Sequence, residues 1–288
     1  MKLGRKDYTI SVKTGTDANK AKFKKECVQG EIYHATDTGF FYIAEVTAGA
    51  SDATLSKFGA PAFANQYSVS LDGTDDYMDV GTVSDLNGSI SAVTLSAWFN
   101  FSGTYHTDKN LVLSGGSSGS DRFYFQQLSA TELRYGSSSG FVNFTIPTVS
   151  ASTWYHMAIV HNGTSASAYF NGSPSSSNPQ TVTAPTANYG TALKVGAYYT
   201  GSAVFGGLLD EVSVFDSALS AGDIEDIYND GVPNDLGTDG LNLSPVAWWR
   251  MGDNDGGTGT TITDQGSGGN NGTFANIASP NGFVTDVP

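Results

Sequence analysis

A single cysteine, Cys27, leaves no internal disulfide framework, so 288 residues must be held by packing alone. A chain of that length can bury an ample core without covalent staples. No stretch approaches the roughly 20 apolar residues of a membrane-spanning helix, and the start, Met1 to Asp7, carries basic residues with no apolar run behind them. Neither membrane insertion nor a Sec-type signal is expected; a protein of this kind would reach the outside by lysis within a virus particle or through a signal-independent secretion route. Helical periodicity is scarce too, and only 15% of the residues are charged. In their place stand 35 glycines and 12% aromatics, the composition of a folded, turn-rich, all-β chain.

Basic residues are few and unevenly placed. Residues 1 to 60 hold nine Lys and Arg against seven Asp and Glu, which leaves five basic and 21 acidic side chains for residues 61 to 288. The change of balance falls at Gly59-Ala60-Pro61-Ala62, so a small module over 1–60 and a larger one over 61–288 are expected. The acidic module would repel phosphate backbones, which excludes nucleic acid as a partner; a cation or a neutral sugar suits it better.

In the first module, Tyr8 to Lys13 and the runs Gly30 to Tyr33 and Phe40 to Ile43 are β-prone, with Asp37-Thr38-Gly39 supplying turn chemistry between the last two. A hairpin over residues 30 to 46 is too small to be stable alone and calls for copies of itself. In the second module Val93 to Phe101 alternates apolar Val93, Leu95, Ala97, Phe99 and Phe101 with Thr94, Ser96 and Asn100, a half-buried strand with Trp98 as the exception. Further strands are expected at Asp121 to Leu128, Trp154 to His161, Ser165 to Phe170, Ala192 to Tyr198 and Gly207 to Phe215, with a tight turn at Asn171-Gly172. Strands in such number with short turns make an antiparallel sandwich. One helix is expected, starting at Ser220 with Asp223 completing a capping pair, and stopping at Gly231.

Several segments in order resemble the laminin-G-like, concanavalin A-like jelly-roll family over roughly residues 66 to 288: Leu71-Asp72-Gly73-Thr74-Asp75-Asp76-Tyr77, Thr94 to Phe99, Trp154-Tyr155-His156-Met157-Ala158, Tyr169-Phe170-Asn171-Gly172, and Phe205 to Val212 with Leu219-Ser220. Ala247 to Asp253 and Thr261 to Phe274 resemble the segment that opens such a domain, yet here they close the chain, so the order looks circularly permuted. The alternative is a truncated second repeat. Val12 to Ala18 and Gly30 to Ile43 more loosely resemble the small modules that start phage fibre proteins, which implies self-assembly, often as a trimer, and attachment to other virion proteins.

The resemblance also implies a structural Ca²⁺, with ligands carried over by position onto Asp210 and Asp253 and onto carbonyls near Asp264 and Asn270. Jelly-roll glucanases hold two carboxylates on one strand face. Strict alternation through Asp210-Glu211-Val212-Ser213-Val214-Phe215-Asp216 would instead put Asp210 and Asp216 on one face and Glu211 on the other, so no enzymatic pair is expected. A sugar needs aromatic platforms beside polar groups; Tyr198-Tyr199, next to Thr200-Gly201-Ser202, and Tyr105-His106 are the candidates. The expected protein is a non-enzymatic adhesion protein of a virion surface whose sandwich recognises a cell-surface glycan. A purely structural decoration protein and a secreted carbohydrate-binding or carbohydrate-active module are the alternatives.

Overall fold

The computed structural model describes residues 12–15, 32–35, 41–45, 54–58, 63–88, 91–103, 111–117, 122–137, 140–183, 190–237, 240–277 and 282–288. The chain divides into two compact units, Met1–Phe63 with Thr238–Asn242, and Ala64–Gly237 with Leu243–Pro288.

In the first unit, β1 (Val12–Gly15), β2 (Ile32–Ala35), β3 (Phe41–Glu45) and β4 (Thr54–Phe58) form a sheet in that order. β1 and β2 run parallel, and β2 and β3 pair antiparallel with Ile32 opposite Ile43. The hairpin of the sequence is thus present, while residues 8–11 and the Asp37 to Gly39 turn lie outside the described residues.

The second unit starts with β5 (Ser68–Asp72), β6 (Tyr77–Gly81), β7 (Val93–Phe101), β8 (Leu111–Gly116), β9 (Arg122–Ser129), β10 (Glu132–Ser137) and β11 (Gly140–Thr145). It continues with β12 (Trp154–His161), β13 (Ser165–Phe170), β14 (Ser173–Pro174), β15 (Gln180–Thr181), β16 (Leu193–Val195) and β17 (Gly206–Phe215). Helix α1 (Ala221–Tyr228) follows, then β18 (Ala247–Trp249), β19 (Thr261–Ile262), β20 (Gly272–Ala275) and β21 (Phe283–Val284). Among the described residues these strands make two antiparallel sheets of a jelly-roll sandwich. One is ordered β11-β10-β9-β8-β16-β6-β20-β19; the other is ordered β14-β13-β12-β7-β17-β5-β21, with β15 on β13 and β18 on β17.

The core lies where the inner faces meet. Leu95, Phe99 and Phe101 of β7 share one apolar cluster with Leu113, Phe125, Tyr135 and Phe144 of the other sheet, all at most 1% exposed. Each such side chain contributes about 1.5–3 kcal/mol by leaving water. β7 is covered on its second face as well, so all nine of its residues are buried and the half-buried strand of the sequence reading is corrected. The cover is α1. Its Tyr228 stacks on Trp98 with ring centroids 5.7 Å apart, and Thr94 Oγ1 donates to the Ser217 carbonyl and accepts the Leu219 N–H. Ser220 and Asp223 close the expected capping box, but Asn229, left-handed at φ 46°, ends the helix before Gly231 is reached.

The closing segment completes both sheets of the same sandwich. β18 pairs β17, β20 pairs β6 and β21 pairs β5. Trp249, Met251 and Ile262 enter the core at no more than 1% exposure. The closing strands thus belong to the same sandwich as β5 and β6 and not to a separate second repeat.

Candidate functional site

The alternation of β9 and β10 sends Phe123, Phe125, Leu133 and Tyr135 into the core, which turns Arg122, Tyr124, Gln126, Arg134 and Gly136 to the outer face of the sheet. Register then sets these residues in rows. Tyr124 of β9 stands opposite Gly136 of β10, which stands opposite Phe141 of β11; two residues on, Gln126, Arg134 and Asn143 form a parallel row. An aromatic row thus runs beside a polar one.

Gly136 makes the aromatic row possible. A Cβ built there would lie 2.0 Å from Cε1 of Tyr124, so the phenol ring rests directly on the backbone of the neighbouring strand. Phe141 is 56% exposed, and the Arg134 guanidinium lies 4.1 Å above its ring centre. Next to these rows the connection from β16 to β17 folds over, fixed by Tyr198 N–H to the Ser202 carbonyl at 2.7 Å and Gly201 N–H to the Tyr198 carbonyl at 2.7 Å. The result is a cleft of about 360 Å³ lined by Arg122, Tyr124, Gln126, Arg134, Tyr198, Ser202 and Ala203.

Within it Arg122 Nη1 donates to the Tyr198 hydroxyl at 2.5 Å, and the guanidinium carbon lies 5.8 and 5.9 Å from the Tyr124 and Tyr198 ring centres. Arg122 Nε is buried without a partner. Arg134 Nε donates to Asn143 Oδ1 at 3.0 Å. Partial burial pushes the Tyr198 phenol above its usual range, an effect that Arg122 opposes.

A second polar cluster is buried against β17. In β17 the register slips between Asp210 and Ser213, and Glu211 takes a left-handed φ of 47°. The bulge breaks the alternation read from the sequence and buries two successive acids, Asp210 at 0% and Glu211 at 5% exposure. Burial, and then the neighbouring Glu211 charge, holds Asp210 well above the carboxylate range; burial pushes Glu211 up to about 7 against the pull of Arg250. Arg250 Nε donates to Glu211 at 3.1 Å and Nη2 to Asp253 at 3.0 Å, while Trp248 Nε1 donates to the other Glu211 oxygen at 2.6 Å.

Residues 72–225 match the family described as the concanavalin A-like lectin/glucanases superfamily, in its laminin G branch. The chain belongs to that family. A comparison with curated proteins finds no match. Among solved structures, this concanavalin A-like chain is similar to a Bacteroides ovatus protein described as carbohydrate-binding, at 17% identity and a TM-score of 0.56 over 90% of this chain and 70% of that one. It is similar also to a pentraxin from Limulus polyphemus, at 17% identity and a TM-score of 0.46 over 57% of this chain and 82% of that one. Domain 4 of an extracellular arabinanase from Geobacillus stearothermophilus, solved with arabinotriose, gives 20% identity and a TM-score of 0.43 over 60% and 82%.

In this concanavalin A-like sandwich Tyr198 is a wall of the cleft. Tyr199 packs on it with centroids 4.4 Å apart and is not among the lining residues, and Tyr105 and His106 lie outside the described residues. Among the described residues, the carboxylates of Asp210, Asp253 and Asp264, assigned to Ca²⁺ by position, do not form a cluster with oxygens within 4.8 Å of one another. Asp264 takes the N–H groups of Trp248, Gly266 and Asn270, so both its oxygens are engaged in tying a turn. Asp253 accepts the Gln66 and Tyr67 N–H groups and Arg250, and Asp210 accepts Asn65 and its neighbour's N–H. Asn270 donates its side-chain amide to the Val246 carbonyl at 3.3 Å. Among the described residues, acidic oxygens converge instead at Asp72, Asp75 and Asp76, within 4.8 Å of one another. The Thr74 N–H holds Asp72 below its usual range, and burial raises Asp76.

Sequence reasoning missed Arg122, Tyr124, Gln126 and Arg134. A signal was present. The outward positions of Arg122-Phe123-Tyr124-Phe125-Gln126 and of Leu133-Arg134-Tyr135-Gly136 carry Arg, Tyr, Gln and Gly, where a plain solvated face would carry Ser and Thr.

Proposed function

We propose that this chain is a non-enzymatic adhesion protein of a virion surface. In this reading the sandwich binds a cell-surface glycan in the cleft between β9, β10 and the Tyr198 loop, and the N-terminal unit assembles copies into a fibre-type homo-oligomer, a trimer. The observation that carries the reading is the cleft itself: two tyrosine rings, one of them seated on Gly136, beside Gln126, Ser202 and two arginines. Apolar sugar faces stack on such rings while hydroxyls take the polar groups. The fold family and the Bacteroides ovatus neighbour support glycan binding.

A glycan array probed with the full chain tests the reading. Binding is expected, and Tyr198→Ala weakens it at least about tenfold, roughly 1.4 kcal/mol. Light scattering of the full 30.1 kDa chain reads the assembly, with a mass of three chains expected. A trimer that binds no glycan would favour the decoration reading; a binding monomer would favour a secreted carbohydrate-binding module. Gly136→Ala separates platform from scaffold. The added methyl displaces the Tyr124 ring and weakens glycan binding about tenfold, whereas the melting temperature falls by less than about 4 °C, because the ring swings aside without moving the backbone.

A further inference from the structure

The cleft carries a charge signature at odds with the rest of the second module. Residues 61 to 288 hold five basic side chains, Lys109, Arg122, Arg134, Lys194 and Arg250, against 21 acidic ones. Two of the five are neutralised locally: Lys194 by Asp79 at 2.8 Å, and Arg250 by Glu211 and Asp253 at 3.1 and 3.0 Å. Lys109 lies outside the described residues. Arg122 and Arg134 are the other two, both line the same cleft, and among the described residues neither has a carboxylate oxygen within 4.0 Å. In a module with four acids for each base, arginines that met chance neighbours would find carboxylates.

Each guanidinium is held in a way that leaves donors over. Arg122 spends Nη1 on Tyr198, and its buried Nε has no partner. Arg134 spends Nε on Asn143 and lies on the Phe141 ring. Among the described residues, rings and amides therefore fix the two planes without neutralising them, which is how a fork of N–H donors is prepared for a planar anion.

We infer that the cleft selects a carboxylate-bearing sugar, a uronic or sialic acid unit, with Arg122 and Arg134 receiving the carboxylate and Tyr124 and Tyr198 the sugar ring. This deepens the proposed glycan binding and rests on it. It also replaces the neutral sugar expected from the net charge, because the overall acidity of residues 61–288 is not that of the cleft.

The test measures binding of the full chain to homogalacturonan and to polysialic acid, each beside its carboxyl-reduced form, in which every carboxylate has become a hydroxymethyl group. At least one acid polymer is expected to bind tenfold or more tightly than its reduced form, with affinity falling as salt rises. Arg134→Met and Arg122→Met should each remove that preference, and Arg134→Lys should retain only part of it, since the charge survives and the fork does not. Circular dichroism melts identify any variant that fails to fold; the comparison of acid with reduced polymer on the unaltered chain needs no variant. Equal binding of acid and reduced forms, or binding to neither acid polymer, overturns the inference. So does a preference for sulfated or phosphorylated polymers over the carboxylated ones. If neutral glycans bind and Tyr198→Ala abolishes that binding, the glycan reading stands while the acid selectivity fails.

Discussion

Arg250→Ala is expected to lower the unfolding free energy by about 3–5 kcal/mol at pH 8. Among the described residues the guanidinium is the one cation paired with Glu211 and Asp253, whose side chains are 4% and 3% exposed, and Asp210 lies beside them at 0%. Without it, buried negative charge faces buried negative charge, and the acids escape only by taking up protons. Their folded-state affinity for protons is already raised, to about 7 for Glu211. The variant therefore recovers stability relative to the unaltered chain as the pH is lowered from 8 to 5, when the acids neutralise. Adding Glu211→Gln to Arg250→Ala restores part of the loss at pH 8, which a mere packing defect would not allow. Urea unfolding of both variants at the two pH values reads the result.

A second large effect is expected in acid. His156 is fully buried, its Nε2 lies 2.8 Å from Ser96 Oγ, and its Nδ1 has no partner. The Trp98 and Tyr228 rings, with centroids 5.3 and 6.1 Å away, close over it. Burial pulls its pKa down from 6.5 to about 3. The unfolded chain then binds a proton that the folded chain refuses, so stability is complete above pH 6.5 and is lost as the pH falls toward 3, by about 1.4 kcal/mol per pH unit. Glu211 acts in the opposite sense. Its folded-state pKa of about 7 exceeds the reference 4.5, so lowering the pH from 7 to 4.5 favours the folded chain. Asp210, Asp253 and Asp76, whose protonation burial also favours in the folded chain, act in the same sense as Glu211 down to their reference value of 3.8, below which these acids no longer oppose the histidine. The unfolding free energy should hold or rise as the pH falls to about 4 and then drop toward pH 3 by about 1.4 kcal/mol per pH unit, a drop that His156→Gln makes shallower. An unchanged acid limb in that variant would count against the assignment.

Much of the fold was legible because its signals are local. β7, β12 and β13 have the bounds that alternation gave them, and the helix begins where Ser220 and Asp223 form their capping pair. Asp210-Glu211 was misread because a bulge is set by the partner strand and leaves no mark in period-two counting. The second cover over β7 also escaped, since it depends on where α1 lands.

The cleft was legible only at Tyr198, where Thr200-Gly201-Ser202 announces an exposed loop. Its remaining parts depend on cross-strand register. Gly136 acquires a role from Tyr124, twelve residues earlier, and Arg122 from Tyr198, a separation of 76. Net charge is silent for a related reason, since a sum over 228 residues carries no information on which two arginines, among the described residues, lie away from carboxylates.

The pairing of β20 with β6 and of β21 with β5 bears on how the molecule is made. Phe283 meets Val69 and Phe274 meets Met78, contacts across some two hundred residues of chain. During synthesis β5 and β6 therefore emerge with open edges and wait for the last part of the sandwich to leave the ribosome. Closure comes only after some two hundred residues have emerged, and it is slow because of its long loops. A ribosome stalled within residues 247–284 would release a chain with two unpaired strand edges, a species suited to aggregation and to proteolysis.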